Sequence, residues 1–249
     1  MDQIDDEKVS FQKVGASEIT VAEWLKEKEE LLAKDRDHDH AKDIVLSDKA
    51  RVVDRKLAAL RNKMLNDDPV LVTAPHYEKL QSLIDSPLYD CLKMMPKPAV
   101  HHTHLTACAP VEFLVDLTYN DFVFYSEKEN LFHVSKKGCT KDGYMKVNSL
   151  RQYWKNAIEF DQWIADKILL RPAVPEDHGI WVGFQDKFGI TLQLYCYAPF
   201  FEKILYRVSK DYIKEMVTVV EYRHIFGSLF NDDGENLSLE DELAIFAKI

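Results

Sequence analysis

The segment Val217-Thr218-Val219-Val220-Glu221-Tyr222 is apolar on both faces, as a strand buried inside a parallel sheet would be. It constrains the fold more than any other stretch, because parallel strands belong to α/β architectures in which helices cover the sheet. Ala99 to His104 is a second β-compatible run, and Phe122–Tyr125 with Leu131–Val134 alternate around Glu127-Lys128-Glu129-Asn130 as a hairpin. Most of the remaining pattern is helical. Thr20 and Glu23 form a capping box ahead of Val21–Lys34, whose apolar side carries Trp24, Leu25, Leu31 and Leu32. Ser47 caps a helix with Val53, Leu57, Leu60 and Met64 at helical spacing, and Pro75–Ile84 and Pro87–Met94 read as two short helices. After an apolar helix through Leu117, residues 150–170 and roughly 184–215 read as helices, the latter interrupted by Pro199. Ser238 with Asp241 opens a helix expected to be still running at Ile249, a pattern that favours a shortened chain.

A hydrophobic content of 46% over 249 residues supports a substantial core, and no apolar run approaches the ~18 residues of a membrane span. The net charge of −10 argues against a nucleic-acid partner. The acidic start, Met1-Asp2-Gln3-Ile4-Asp5-Asp6-Glu7, is unlike a secretory signal, and Cys91, Cys108, Cys139 and Cys196 form no CxxC pair. Reduced thiols in the cytoplasm are the expectation.

The chemistry-bearing segment is His101-His102-Thr103-His104. On a strand, side chains two apart share a face, so His102 and His104 can reach one ion while His101 points away. Imidazole suits zinc-like ions, and an open site of this kind activates water. Two histidines do not fill a tetrahedral shell, and a polar strand end with hydrogen-bonded histidines is the plain alternative. Asp35 to His40 reads as a solvated linker rather than a chelate, and Asp177-His178-Gly179 and Asn231-Asp232-Asp233-Gly234 read as loop and turn.

The run Met94-Met95-Pro96-Lys97-Pro98-Ala99-Val100-His101-His102-Thr103-His104 resembles the first barrel strand of the adenosine deaminase family, nearest its growth factor-related branch. Lys28-Glu29-Glu30-Leu31 and Leu88-Tyr89-Asp90-Cys91-Leu92-Lys93-Met94-Met95 resemble that branch's added amino-terminal helices, which mediate dimerisation there. Glu159-Phe160-Asp161, Trp181 to Phe184 and Tyr197-Ala198-Pro199-Phe200-Phe201 resemble segments between its first two strands, and Val220-Glu221-Tyr222-Arg223 resembles the second strand's Glu-x-Arg. The resemblance implies an α/β fold: an incomplete TIM-type barrel, with its first two strands and their helices, preceded by a helical extension. The corresponding organisation is a polar lead-in at 1–18, a dimerisation-type helical extension at 19–95, and the opening of the barrel at 96–249.

What the resemblance implies functionally is hydrolytic deamination of adenosine to inosine at a zinc site. His102 and His104 would be metal ligands and Trp181 would face the nucleoside, although a residue beside Phe184 at a helix start is as readily plain core. Glu221 and Arg223 would form a buried, structural ion pair. Departures limit the reading. Leu105-Thr106 follow the histidines where the family has an Asp, and its His-Ala-Gly-Glu and late Ser-Asp-Asp segments have no counterpart, so no catalytic residue is expected within this chain. A TIM barrel needs eight strands and ~250 residues for itself. Three readings stand: an adenosine deaminase active when its barrel is completed, a non-catalytic deaminase-like pseudoenzyme in a larger assembly, and an unrelated helical module with a fortuitous histidine pair.

Overall fold

A computed structural model describes residues 20–39, 41–74, 76–97, 99–170 and 179–249. The lead-in at 1–18, His40, Pro98 and the Asp177-His178 pair lie outside the described residues. The chain divides into two compact units, one ending at Ala59 and one running from Leu60 to Ile249.

In the first unit, α1 (Val21–His38) begins with the anticipated capping box: the Thr20 hydroxyl accepts from the Glu23 amide, and the Glu23 carboxylate accepts from the Thr20 amide at 2.8 Å. None of its residues is buried, and Trp24, Leu25, Leu31 and Leu32 are all exposed. α2 (Asp48–Asp67) follows Ser47, whose hydroxyl accepts from the Ala50 amide at 3.2 Å. The unit boundary falls within this helix.

The second unit continues with α3 (His76–Ile84) and α4 (Pro87–Lys93), the latter capped by Ser86 with Pro87 in its first turn. β1 (Ala99–His104) has the predicted bounds, and a single 3-10 turn at Leu105–Ala107 leads to α5 (Val111–Leu117). β2 (Val123–Ser126) and β3 (Leu131–Val134) pair antiparallel as the predicted hairpin, and β4 (Met145–Lys146) adds a short edge to β2. α6 (Val147–Gln152), α7 (Ala157–Ile168), α8 (Gly179–Cys196) and α9 (Ala198–Lys214) follow, then β5 (Val219–Arg223) and α10 (Leu239–Ala247). Among the described residues the architecture is α/β, with one small parallel sheet, β1–β5, and one antiparallel sheet ordered β3-β2-β4.

The structure departs from four sequence expectations. Asp35–His38, read as linker, continue α1 as its last turn, and the chain leaves the helix only at its C-cap Asp39. The single helix read over residues 150–170 is broken at 153–156, because Asn156 takes an extended backbone and caps a new helix by accepting from the Glu159 amide at 2.8 Å. The last helix closes at Ala247, with Lys248 as its C-cap. β5 is not buried on both faces: it alternates exposed and half-buried residues, and Val219 is 52% exposed. Its covered face packs on α9, where Ser209 Oγ lies 3.3 Å from Tyr222 Oη and Tyr212 Oη donates to Thr103 Oγ1 at 3.4 Å. Among the described residues no layer covers the other face.

The main core joins Val123, Tyr125 and Phe132 of the hairpin to Phe160, Ile164, Leu194 and Ile204 of the helices. A second cluster gathers Leu105, Phe201, Leu205, Leu229 and Ile245. Between α5, α6 and α7, the Arg151 side chain is 7% exposed and fully partnered. It donates to Asp161 Oδ1 at 2.9 Å, Asn148 Oδ1 at 2.6 Å and Thr118 Oγ1 at 2.8 Å, with its guanidinium 3.6 Å from the centre of the Tyr119 ring. Removing one partner of a buried charged network leaves the others desolvated and unpaired. Arg151→Ala is therefore expected to lower unfolding free energy by about 3 kcal/mol in equilibrium denaturation. Arg151→Lys should recover less than half of that loss, since one ammonium cannot reproduce the fork.

Candidate metal centre

The site is built where β1 ends. β1 and β5 run parallel, pairing Ala99 with Val219, Val100 with Val220, Thr103 with Tyr222 and His104 with Arg223. Both strands thus finish side by side, and in open or closed α/β sheets this carboxyl end is where reactive groups collect. The register slips between Val100 and Thr103, where β1 uses one residue more than β5. Strict alternation is lost at the slip, and His101 and His102 are both exposed while Thr103 turns back toward α9.

His102 and His104 come together on the exposed side. Their Nε2 atoms are 3.1 Å apart, with ring centres separated by 5.0 Å. That separation suits an N–H···N hydrogen bond between the rings. It also lies close to the ~3.3 Å expected for two nitrogens bound at ~2.0–2.1 Å to one tetrahedral ion. The donor set therefore fits half of a zinc-type shell. Among the described residues no group of three or more His, Cys, Asp or Glu side chains could hold a metal, so the other half is not supplied there.

The neighbours of the pair are polar on the strand side and aromatic on the helix side. His101 Nδ1 lies 3.4 Å from Glu221 Oε1, Glu221 pairs with Arg223 at 3.5 Å, and Arg223 Nη2 donates to the His101 carbonyl at 3.2 Å. The Glu221–Arg223 pair is half exposed, at 50% and 43%, rather than buried, because it projects from the uncovered face of β5. On α8, Phe188 meets His104 edge-on at 6.2 Å, and Phe184 and Trp181 continue the row at 5.1 and 6.0 Å. Trp181 is 75% exposed at the far end of this row. A cavity of ≈ 180 Å³, lined by Ala107, Ala109, Leu114, Phe184, Phe188 and Tyr195 among others, opens beside it. It is smaller than the ~300–1,000 Å³ of most ligand pockets, and Trp181 is not part of its wall. Lys187, on the same helix, donates to the Lys167 carbonyl at 2.7 Å, and burial lowers its pKa.

Past the end of β5 a buried pair fixes the chain that follows. Glu242 of α10, fully buried, accepts from the Gly227 and Leu229 amides at 3.1 and 3.0 Å and faces His224 Nε2 at 3.2 Å. Phe201, Phe226 and Phe246 surround the imidazole. Sequence reasoning missed this anchor, although His224 directly follows Arg223 and the Ser238 cap marks the helix that carries Glu242. The slip in β1 left no signal in the sequence. Of the look-alikes, Asn231–Gly234 is a turn: Asn231 Oδ1 accepts from the Asp233 and Glu235 amides, and Asp232 is engaged by Lys136 at 2.7 Å and by the Tyr197 hydroxyl.

No protein-family model matches the chain. Individual relatives do. Adenosine deaminase 2-A of Danio rerio is 27% identical over 208 residues, which is 77% of this chain and 41% of that protein. Adenosine deaminase of Aedes albopictus is 21% identical over 241 residues, 91% of this chain and 45% of that protein. Adenosine deaminase 2 of Homo sapiens is 24% identical over 212 residues, covering 78% and 41% respectively. The chain spans less than half the length of these relatives. At low identity, the chain is thus similar to proteins named adenosine deaminase and adenosine deaminase 2.

Proposed function

We propose that this chain is the opening part of an adenosine deaminase-type barrel, contributing half of a zinc site to the deamination of an adenosine-like nucleoside once the remaining strands are present. The observation that carries this reading is the His102–His104 pair, 3.1 Å apart at the carboxyl end of a parallel strand, in a chain similar to named adenosine deaminases. Bound there, zinc would supply a Lewis acid that generates hydroxide from water near neutral pH. His102 and His104 would hold it through Nε2. Trp181, Phe184 and Phe188 would offer aromatic faces to a planar base. The later ligands and the proton-transferring groups would come from outside these 249 residues.

A second reading is favoured by one particular residue. Leu105, in the position after the histidines, is fully buried against Phe201, Leu205 and Leu229 and presents no acceptor to a ligand. A deaminase-like component without catalysis, working inside a larger assembly, accommodates that substitution best. For either reading, the exposed apolar residues of α1 suit self-association through the helical extension. A net charge of −10 disfavours nucleic acid, and no helix among the described residues is long and apolar enough to cross a membrane. The four cysteines are unpaired, in keeping with a reducing compartment such as the cytoplasm.

Two outcomes are expected. Zinc titration against a competing chromophoric chelator should give a binding event that His102→Ala and His104→Ala each weaken at least about tenfold, each removing one of two ligands. Stoichiometric zinc surviving the double substitution would refute the ligand assignment. Second, material isolated from its native source should convert adenosine to inosine, and the double substitution should abolish that turnover. Native material that binds zinc through these histidines yet turns over no nucleoside favours the non-catalytic reading.

A further inference from the structure

The slip between β1 and β5 falls at the residues that present the histidines, and one side chain occupies it. Three residues advance β1 from Val100 to Thr103 while two advance β5 from Val220 to Tyr222. An extra residue of this kind leaves a backbone group without its ladder partner and re-aims the side chains around it. Arg223 donates to the carbonyl of His101, inside the slip, at 3.2 Å. The same guanidinium holds Glu221 at 3.5 Å, and Glu221 in turn faces the His101 ring at 3.4 Å. Arg223 also stands opposite His104 in the strand register. It therefore spans the slipped segment, contacting the peptide that precedes His102 and pairing across from His104.

We propose that Arg223 is a positioning residue for the His102–His104 pair: by binding the His101 carbonyl it fixes the slipped peptide and keeps both Nε2 atoms aimed at a single point. This inference rests on the metal reading given above. A forked, planar donor is suited to the task, because it can serve a carbonyl and a carboxylate at once, whereas an ammonium acts as a point charge. The contact is half exposed, so water replaces much of its hydrogen-bond energy and its loss affects global stability little. The cost falls on aim. Without Arg223 the 101–102 peptide is free to rotate and His102 swings away from His104.

Electrostatics supplies a sign that separates this role from a mere charge effect. A guanidinium beside a divalent cation repels it, so removing the charge alone would tighten zinc binding. Loss of positioning weakens it. Supporting groups around a metal ligand are typically worth 10–100-fold in affinity.

The test is zinc affinity by competition titration, with thermal melting monitored in parallel. Arg223→Ala is expected to bind zinc at least tenfold more weakly than the unaltered chain while melting at nearly the same temperature. Arg207→Ala, which removes the same charge from a pair with Asp211 on α9, should leave affinity within about twofold. Affinity that is unchanged or tighter in Arg223→Ala overturns the proposal. If the alanine variant fails to fold, Arg223→Lys carries the test at constant charge: weaker zinc binding supports positioning, and equal binding overturns it. A failure of the metal reading is distinguishable, since zinc binding would then be indifferent to His102→Ala with His104→Ala.

Discussion

β1 and β5 are far apart in sequence, yet everything that gives this chain a site depends on their lying in register. The helices and the hairpin between them bring Val219 against Ala99 and Arg223 against His104. Without that pairing His102 and His104 belong to a solitary extended segment, and the groups that flank them, Glu221 and Arg223, are elsewhere. Parallel pairing needs a long crossover, and here the hairpin and helices α5 to α9 supply it. The crossover is not passive: its helix α8 sets Phe188 against His104, and α9 covers the inner side of both strands.

Two buried polar centres hold this arrangement. Arg151 joins the loop after α5 to α6 and α7 through Thr118, Asn148 and Asp161. Glu242 joins α10 to the chain leaving β5 through two amides and His224. Each removes a charge from water and then satisfies it with several directed hydrogen bonds, the condition under which a buried polar group specifies geometry. Leu105 ties the two ends together from the apolar side, packing in the turn after β1 against α9 and the loop after β5.

Local patterning made much of this legible beforehand. The Thr20 and Ser86 caps, the hairpin around Asn130, the strand at Ala99–His104 and the pause at Pro199 all follow from side-chain chemistry within a few residues. The histidine pair was legible for the same reason, since two-residue spacing on a strand is a local rule. What could not be read depends on tertiary context. The apolar run at 217–222 looks like a strand buried on both faces, but only one face finds a layer among the described residues. Glu221 and Arg223 are exposed as a consequence. The break before α7 depends on Asn156 winning as a cap, and the slip in β1 depends on which residues of β5 it meets.

X-ray absorption at the zinc edge on the zinc-loaded chain reads the His102–His104 site directly. The expected first shell contains two imidazole nitrogens at about 2.0–2.1 Å, with the outer-ring scattering that imidazole produces. A zinc shell made only of oxygen or sulfur ligands, with no imidazole signature, would contradict it.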